Sequence, residues 1–452
     1  MYSVGLDIGT TSVCGILVNI QNGEIVKSLT LDNCAFIKAE NEAFKTQDAN
    51  KLIDIATSIY EKLTEDAHPT SIGITGQMHG IVYLNSDGEI LSPLTIWQDG
   101  RGDLPYKNGL SYAEYMTEIT GYPLATGYGA VTYFYDSVNS LVPENAAKFC
   151  TIHDLLAMRL SGRKTPLVHS SDAASLGLFD LNKNAFDFNA IKKLGLNESL
   201  FPDVCGGFEN VGAKGDIPIA VAIGDNQASF LGSVANPKDA ILINVGTGSQ
   251  ISLSADTVPN NKNIDCRPLL SGSYILAGSS LCGGRSYALL ERLFREIAET
   301  VTGNEVKSAY PAMDKIMENF VFEKTLDVST LFSGTRLNPE KRGSVSNIST
   351  ENLTMANLCD GFMWGMAEEL YSMYNEMKPY VQNEKTLLIG SGNGIRFNAP
   401  LRKRFEKLFG IKMVIPSGKE EAAFGSVLYS LVAAKIKTDF NDAAKLIKYI
   451  ED

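Results

Sequence analysis

The chain opens with apolar runs broken by a polar turn, "VGLDIGTTSVCGILVN" at residues 4–19, and the pattern predicts strands over 2–8, 13–20 and 24–31. Asn22-Gly23 supplies the hairpin signal between the last two. In "DANKLIDIATSIYEKL", Leu52, Ile53, Ala56, Ile59, Tyr60 and Leu63 recur at helical spacing behind Asp48, a capping residue. "SIGITG" (71–76) reads as a buried strand, "HGIVYLN" as another, and "IPIAVAIG" (217–224) as a third, after which "DNQASFLGSV" starts a helix. Residues 94–149 are mixed and loop-rich, with helical pieces.

The opening pattern then recurs. "AILINVGTGSQISLS" (240–254) is again strand, hydroxyl-rich turn and strand, and aligning Thr10 with Thr247 gives an offset of 237. "YILAG" (274–278), helices over 286–299 and 353–377, "KTLLIG" (385–390), a helix at 399–409, "KMVIP" (412–416) and a helix from about 419 complete an alternating order. Such alternation in two halves predicts two α/β domains. The boundary falls in "SVANPKDA" (233–240), giving domains of 1–235 and 236–452 that face each other across a central cleft.

Composition narrows the class. The 452 residues are 44% hydrophobic, enough for more than one core, and carry a net charge of −12. No run rich in Lys or Arg stands out, which argues against nucleic acid or an anionic membrane as partner. No apolar stretch approaches the roughly 18 residues of a membrane span, and no signal-peptide pattern opens the chain. Seven scattered cysteines without a Cys-x-x-Cys pair predict reduced thiols and a cytoplasmic protein. Four histidines without His-x-x-x-His speak against a histidine-built metal centre.

Three constellations carry chemistry. Gly9, Thr10, Thr11 and Ser12, and Gly246, Thr247 and Gly248, form tight turns whose N–H and hydroxyl groups can cradle phosphate without a Walker lysine. Two such turns could hold a nucleotide's polyphosphate, and Asp7 beside the first could hold Mg²⁺ through water; two ordinary hairpins remain the alternative. In "AVAIGDNQAS", Asp225 stands at the carboxyl end of a strand, where α/β sheets collect ligands. A carboxylate there can take a substrate hydroxyl's proton during phosphoryl transfer, unless it merely caps the next helix. "TGQMHG" (75–80) and "WQDGR" (97–101) supply an apolar face and fixed polar groups suited to a polyol; the plainer alternative is an Asp-Gly turn, a core tryptophan and a surface arginine.

"DIGTTS", "TGQMHG", "WQDGR", "GDNQAS", "NVGTGS", "GSGNGIRFNAPLRKRFEKLFG" and "EEAAFGSVLYS", in this order, resemble the FGGY family of carbohydrate kinases from about residue 2 to about 435. The resemblance implies two actin-like ATPase (ribonuclease H-like) domains, an N-terminal one for sugar and a C-terminal one mostly for ATP. It implies Asp225 as general base, and Asp7 with Asp225 near Mg²⁺. Gly9, Thr10, Thr11 and Ser12 match its first phosphate segment, and Gly246, Thr247 and Gly248 its second. Gly390, Ser391, Gly392, Asn393 and Asn398 match its adenosine segment. Gln77, Met78, His79, Trp97, Asp99 and Arg101 match its sugar segments, with Asn226 beside the base.

Within that resemblance, "TIHDLLAMRLSG" (151–162), "SDAASLGLFD" (171–180) and the Gln-Ala-Ser after Asp225-Asn226 imply sedoheptulose as the sugar, with xylulose or another pentulose as the alternative. An actin-like ATPase or a silent sugar sensor are the readings from other classes. The expected partners are a small sugar and ATP, with neither nucleic acid nor membrane, and a homodimer is left open. Two departures stand out. Cys14 occupies a place where many members carry a basic residue, and "GGRSYALLERLFRE" lacks the family's tryptophan.

Overall fold

The computed structural model describes residues 1–450 other than 262–263, 271, 319, 321–323, 336–337 and 339. In the first unit, β1 (Tyr2–Ile8), β2 (Ser12–Asn19) and β3 (Glu24–Asp32) form the antiparallel meander. Gly23 turns the chain at φ +76°, a value glycine adopts without steric cost. Helix α1 (Ala49–Thr64) is capped by Asp48, whose carboxylate accepts from Lys51 N, and it buries Leu52, Ala56, Ile59, Tyr60 and Leu63. Strand β4 (Pro69–Gly76) returns parallel to β1. Helices α2 (Ile152–Ser161) and α3 (Ser170–Leu176) follow.

The single strand expected over 217–224 is broken in two. After β5 (Asn210–Lys214), β6 (Ile217–Ala220) and β7 (Ile223–Gly224) both pair with β4. At the break Val221 N donates to Glu209 O at 2.9 Å, drawing the backbone away from β4. Helix α4 (Asp225–Ser233) starts immediately after β7. The sheet order is β5-β6-β4-β1-β2-β3, with β7 also beside β4.

The second unit repeats this plan. β8 (Ala240–Val245) and β9 (Ser249–Ala255) form a hairpin, offset by 237–238 residues from the bounds of β1 and by 236–237 from those of β2. With β10 (Asp265–Pro268), β11 (Tyr274–Ser280), helices α5 (Gly283–Thr302) and α6 (Met355–Met377), β12 (Leu387–Ser391), α7 (Ala399–Phe409) and β13 (Met413–Pro416), it builds its own layers. After helix α8 (Glu421–Ala433), β14 (Tyr449–Ile450) completes the order β10-β11-β9-β8-β12-β13-β14. β8 runs parallel to β12 as β1 does to β4.

The units are not two continuous halves. Met1–Asn236 forms one compact unit with Arg267–Tyr274 and Gly418–Lys448; Pro237–Cys266, Ile275–Ser417 and Tyr449–Asp452 form the other. Helix α8 therefore belongs to the first unit, where glycines let backbones meet. A Cβ on Gly425 would lie 1.8 Å from Ala228 O, and one on Gly73 2.0 Å from Ser426 O. Ser430 Oγ meets Ser71 Oγ at 2.8 Å, and Ser71 Oγ meets Ser3 Oγ at 2.6 Å, so the hydroxyls buried there satisfy one another. No helix among the described residues is long and apolar enough to cross a membrane, and all seven cysteines are free thiols.

Candidate active site

The strand ends of the first unit bring two acids together. Asp7 lies opposite Thr75 on β4, and Gly76 pairs with both Ile8 and Gly224, so β1 with Asp7 and β7, which leads directly into Asp225 at the start of α4, flank β4. Asp225 does not cap its helix: the cap position falls on Gly224 and no side chain caps there. Burial pushes Asp225 up to about 6, against the lowering effect of His153. Burial, then the charge of Asp225, pushes Asp7 up to about 7, with Glu420 adding to the rise and His153 opposing it. Asp7 Oδ1 is buried without a hydrogen-bond partner. An orphaned carboxylate oxygen beside a second, repelling carboxylate suits a hard divalent cation.

Cys14 sits directly across from Asp7 in the β1–β2 pair. Burial pushes its thiol up to about 12, so this place brings no charge of either sign to the turn near neutral pH.

The first turn is tied to the sugar segments. Thr10 Oγ1 donates to Gln77 Oε1 at 3.3 Å and accepts from Trp97 Nε1 at 2.8 Å, while Gln47 Nε2 donates to Thr10 O at 2.8 Å. Asn33 Nδ2 also donates to Gly9 O at 3.4 Å, and its N–H donates to Thr11 O at 3.0 Å. Ser12 begins β2. His79 adopts φ +73° and stacks on Tyr128 with ring centroids 4.6 Å apart. Its Nδ1 meets Ser175 O at 2.6 Å. Met78 is buried, its sulfur 3.9 Å from Arg267 Nη1. Asn226 follows Asp225 in the first turn of α4.

The plainer reading of "WQDGR" is reversed. Trp97 is 46% exposed, whereas Asp99 and Arg101 are buried. Arg101 Nε donates to Asp99 Oδ1 at 2.8 Å and Nη1 to Asp136 Oδ1, while Asp99 Oδ2 also accepts from Lys45 N at 2.8 Å. The Phe44 ring lies 4.9 Å from the guanidinium. This buried, charge-assisted brace fixes the loop that carries Trp97.

In the second unit, Gly246 N donates to Gly248 O at 2.9 Å across the turn, and Arg285 N donates to Thr247 O at 3.0 Å, seating the start of α5 on it. A cavity of about 410 Å³ adjoins that helix, lined by Tyr287, Tyr310, Asp314, Asn393, Phe397 and Asn398 among others. Asn393 and Asn398 thus come together, although Asn398 Oδ1 also caps α7 by accepting from Leu401 N at 2.9 Å. Gly390 and Ser391 are buried in β12, where Ser391 Oγ accepts from Asn244 Nδ2 at 2.8 Å. Gly392 turns at φ +80°, with Val245 O only 2.5 Å from where a Cβ would stand. Tyr287 and Tyr310 carried no signal in the sequence; they lie on successive helices and their ring centroids come within 6.3 Å.

His153, Asp172, Glu420 and Arg267 also act electrostatically on the two carboxylates. A histidine in the largely apolar helical run "IHDLLAMRLS" was the available signal for the first, and an acid in the short, serine-rich "SSDAASL" for the second. Arg267 gave none.

The model of the FGGY family of carbohydrate kinases, N-terminal domain, matches residues 2–232, half of the chain. The chain belongs to the FGGY family of carbohydrate kinases. This kinase is 26% identical to mouse (Mus musculus) sedoheptulokinase, over 95% of its own length and 97% of the relative's. Among solved structures it resembles xylulose kinase from Rhodospirillum rubrum with a TM-score of 0.84 at 18% identity, covering 100% of this chain and 93% of that one. It resembles Plasmodium falciparum glycerol kinase with ADP at 0.79 and 17% identity, covering 98% and 92%. The fold is that of the actin-like ATPases, and the kinase is an ATP-dependent phosphotransferase with an alcohol group of a carbohydrate as acceptor.

Proposed function

We propose that the kinase phosphorylates a ketose, with sedoheptulose as its sugar and sedoheptulose 7-phosphate as its product. The observation that carries the reaction is the pair Asp7, near the end of β1, and Asp225, the first residue of α4 just past β7, where those two strands flank β4. Full-length likeness to a sedoheptulokinase supports the sugar. In this reading Trp97 and Met78 offer the sugar apolar surface, and Gln77, His79 and Asn226 line its polar side. Asp99 and Arg101 act by bracing the Trp97 loop. Gly9–Ser12 and Gly246–Gly248 receive phosphate oxygens, and the Asn393–Asn398 cavity receives adenosine.

Asp225 accepts the proton of the sugar hydroxyl as its oxygen attacks the γ-phosphorus. The bond from that phosphorus to the β–γ bridging oxygen breaks, and ADP departs with the electron pair. Asp7 and Asp225 would hold Mg²⁺, which when bound would supply neutralisation of phosphate charge. The free thiols suit a reducing, cytoplasmic setting.

A general base works only when deprotonated, and burial raises Asp225 to about 6. kcat/KM for the sugar should therefore fall as pH drops through about 6, whereas an ordinary carboxylate would hold activity to about pH 4. A flat profile from pH 8 to pH 5 would remove Asp225 from the role.

The decisive assay supplies ATP with a panel of ketoses and polyols of four to seven carbons and reads products by mass spectrometry. Sedoheptulose should give the highest kcat/KM. Preference for xylulose would move the kinase to the pentulose alternative, and sugar-independent ATP hydrolysis alone would sink the proposal.

A further inference from the structure

We propose that His153 is a positioning residue of the phosphoryl-transfer centre: an imidazolium clamped by Asp172 beneath Gly76, whose charge the carboxylates of Asp7 and Asp225 share. The inference rests on the reading that those two acids form the transfer site. His153 and Asp172 are both fully buried, with Nε2 3.0 Å from Oδ1. The ring occupies space that only glycine leaves open. A Cβ on Gly76 would stand 3.1 Å from His153 Nδ1 and 2.9 Å from Ile8 O.

Gly76 is the residue that pairs with Ile8 on one side and Gly224 on the other, the neighbours in sequence of Asp7 and Asp225. The histidine thus lies under the centre of the strand-end row whose flanks carry the acids. Ser171, beside Asp172, accepts from Gly224 N at 3.1 Å and ties the same helix to the start of α4. Asp154 completes the cluster, and its Oδ2 accepts from Thr151 Oγ1 at 2.6 Å. Glu420 acts on Asp7, and Arg267 on Asp225.

Electrostatics runs the same way. Burial alone would drive the ring down, but the charge of Asp172 at 3.0 Å, with those of Asp154 and Asp225, raises it to about 9. Reciprocally, His153 lowers both Asp7 and Asp225 against their own burial. A cation without substrate contact thereby keeps two crowded carboxylates ionised and in place.

His153→Gln removes the charge and keeps a side-chain donor. Its kcat should fall about tenfold, with KM for sugar and ATP within about twofold of wild type. Mn²⁺ binding to the nucleotide-free protein at about pH 8, above the range of both acids, followed by electron paramagnetic resonance, should tighten about tenfold, because the ionised pair loses a competing cation. General damage to the fold would weaken Mn²⁺ instead, and His153→Lys should return its affinity towards wild type.

Unchanged kcat and Mn²⁺ affinity in His153→Gln would overturn the proposal, as would a stoichiometric metal on His153 in the purified kinase. Should the glutamine variant not fold, the ¹⁵N shifts of the wild-type ring at pH 7.5 decide: an imidazolium supports it, a neutral ring overturns it. If Asp7→Asn leaves Mn²⁺ binding untouched, the transfer-site reading is what fails.

Discussion

Asp225→Asn should lower kcat by roughly 10²–10⁴ while ATP affinity stays within about threefold of wild type. The amide keeps the shape and loses the proton acceptor, and nothing in helix α4 depends on the carboxylate as a cap. The same variant should melt higher in metal-free buffer, for a reason that can be signed. Folding raises the acid from 3.8 to about 6, so the unfolded chain releases its proton first. The folded state is then penalised as pH rises from about 4 to about 6, with the full penalty above that range. Removing the charge should restore on the order of 1–3 kcal/mol at pH 8 and nothing near pH 4. Calorimetry at the two pH values, with isothermal titration of ATP, checks both halves. Retained turnover would exclude Asp225 as base, and an unchanged melting temperature at pH 8 would deny the electrostatic crowding.

The second large effect is structural. Gly425→Ala should cost about 3 kcal/mol and lower the melting of the first unit by roughly 5–10 °C. The new methyl would stand 1.8 Å from Ala228 O and 2.8 Å from Gly232 N, both backbone atoms that move only if a helix moves. Gly207→Ala, whose Cβ would meet nothing nearer than Glu209 Oε1 at 4.0 Å, is the matched control and should change little. Equal melting of the two variants would mean that the packing of α8 on α4 yields freely.

Much of the framework was legible because local signals agreed with the tertiary result. The meander β1–β3, helix α1 with its Asp48 cap, and the helix at 399–409 were all readable from periodicity and turn chemistry. The half-length repeat was equally clear, since the second hairpin is offset by nearly the same number of residues. The break between β6 and β7 was not, because Val221 and Ala222 are as apolar as their neighbours and the pattern has no mark for a strand that changes course. A capping box at Ser111 and Glu114 was available in "SYAE" and marks a helix inside the stretch read as mixed.

The candidate site was legible where chemistry is local and opaque where it is assembled. Asp7 and Asp225 announced themselves as acids at strand ends. Arg101 read as a sugar-segment residue, with a surface arginine as the alternative, and neither reading foresaw the buried brace because its two acidic partners, Asp99 and Asp136, are not distinguishable as buried in the sequence. His153 was passed over for the same reason: its meaning lies in Asp172, nineteen positions away, and in the missing side chain of Gly76.

The assignment of residues 418–448 to the first unit has a consequence for biogenesis. As the ribosome extends the chain, the sheet bearing Asp7 and Asp225 must wait for α8 before the bare backbone at Gly5 and Gly73 is covered. The first unit is therefore committed to remain unfinished, and open to chaperones or proteases, until synthesis has passed residue 433.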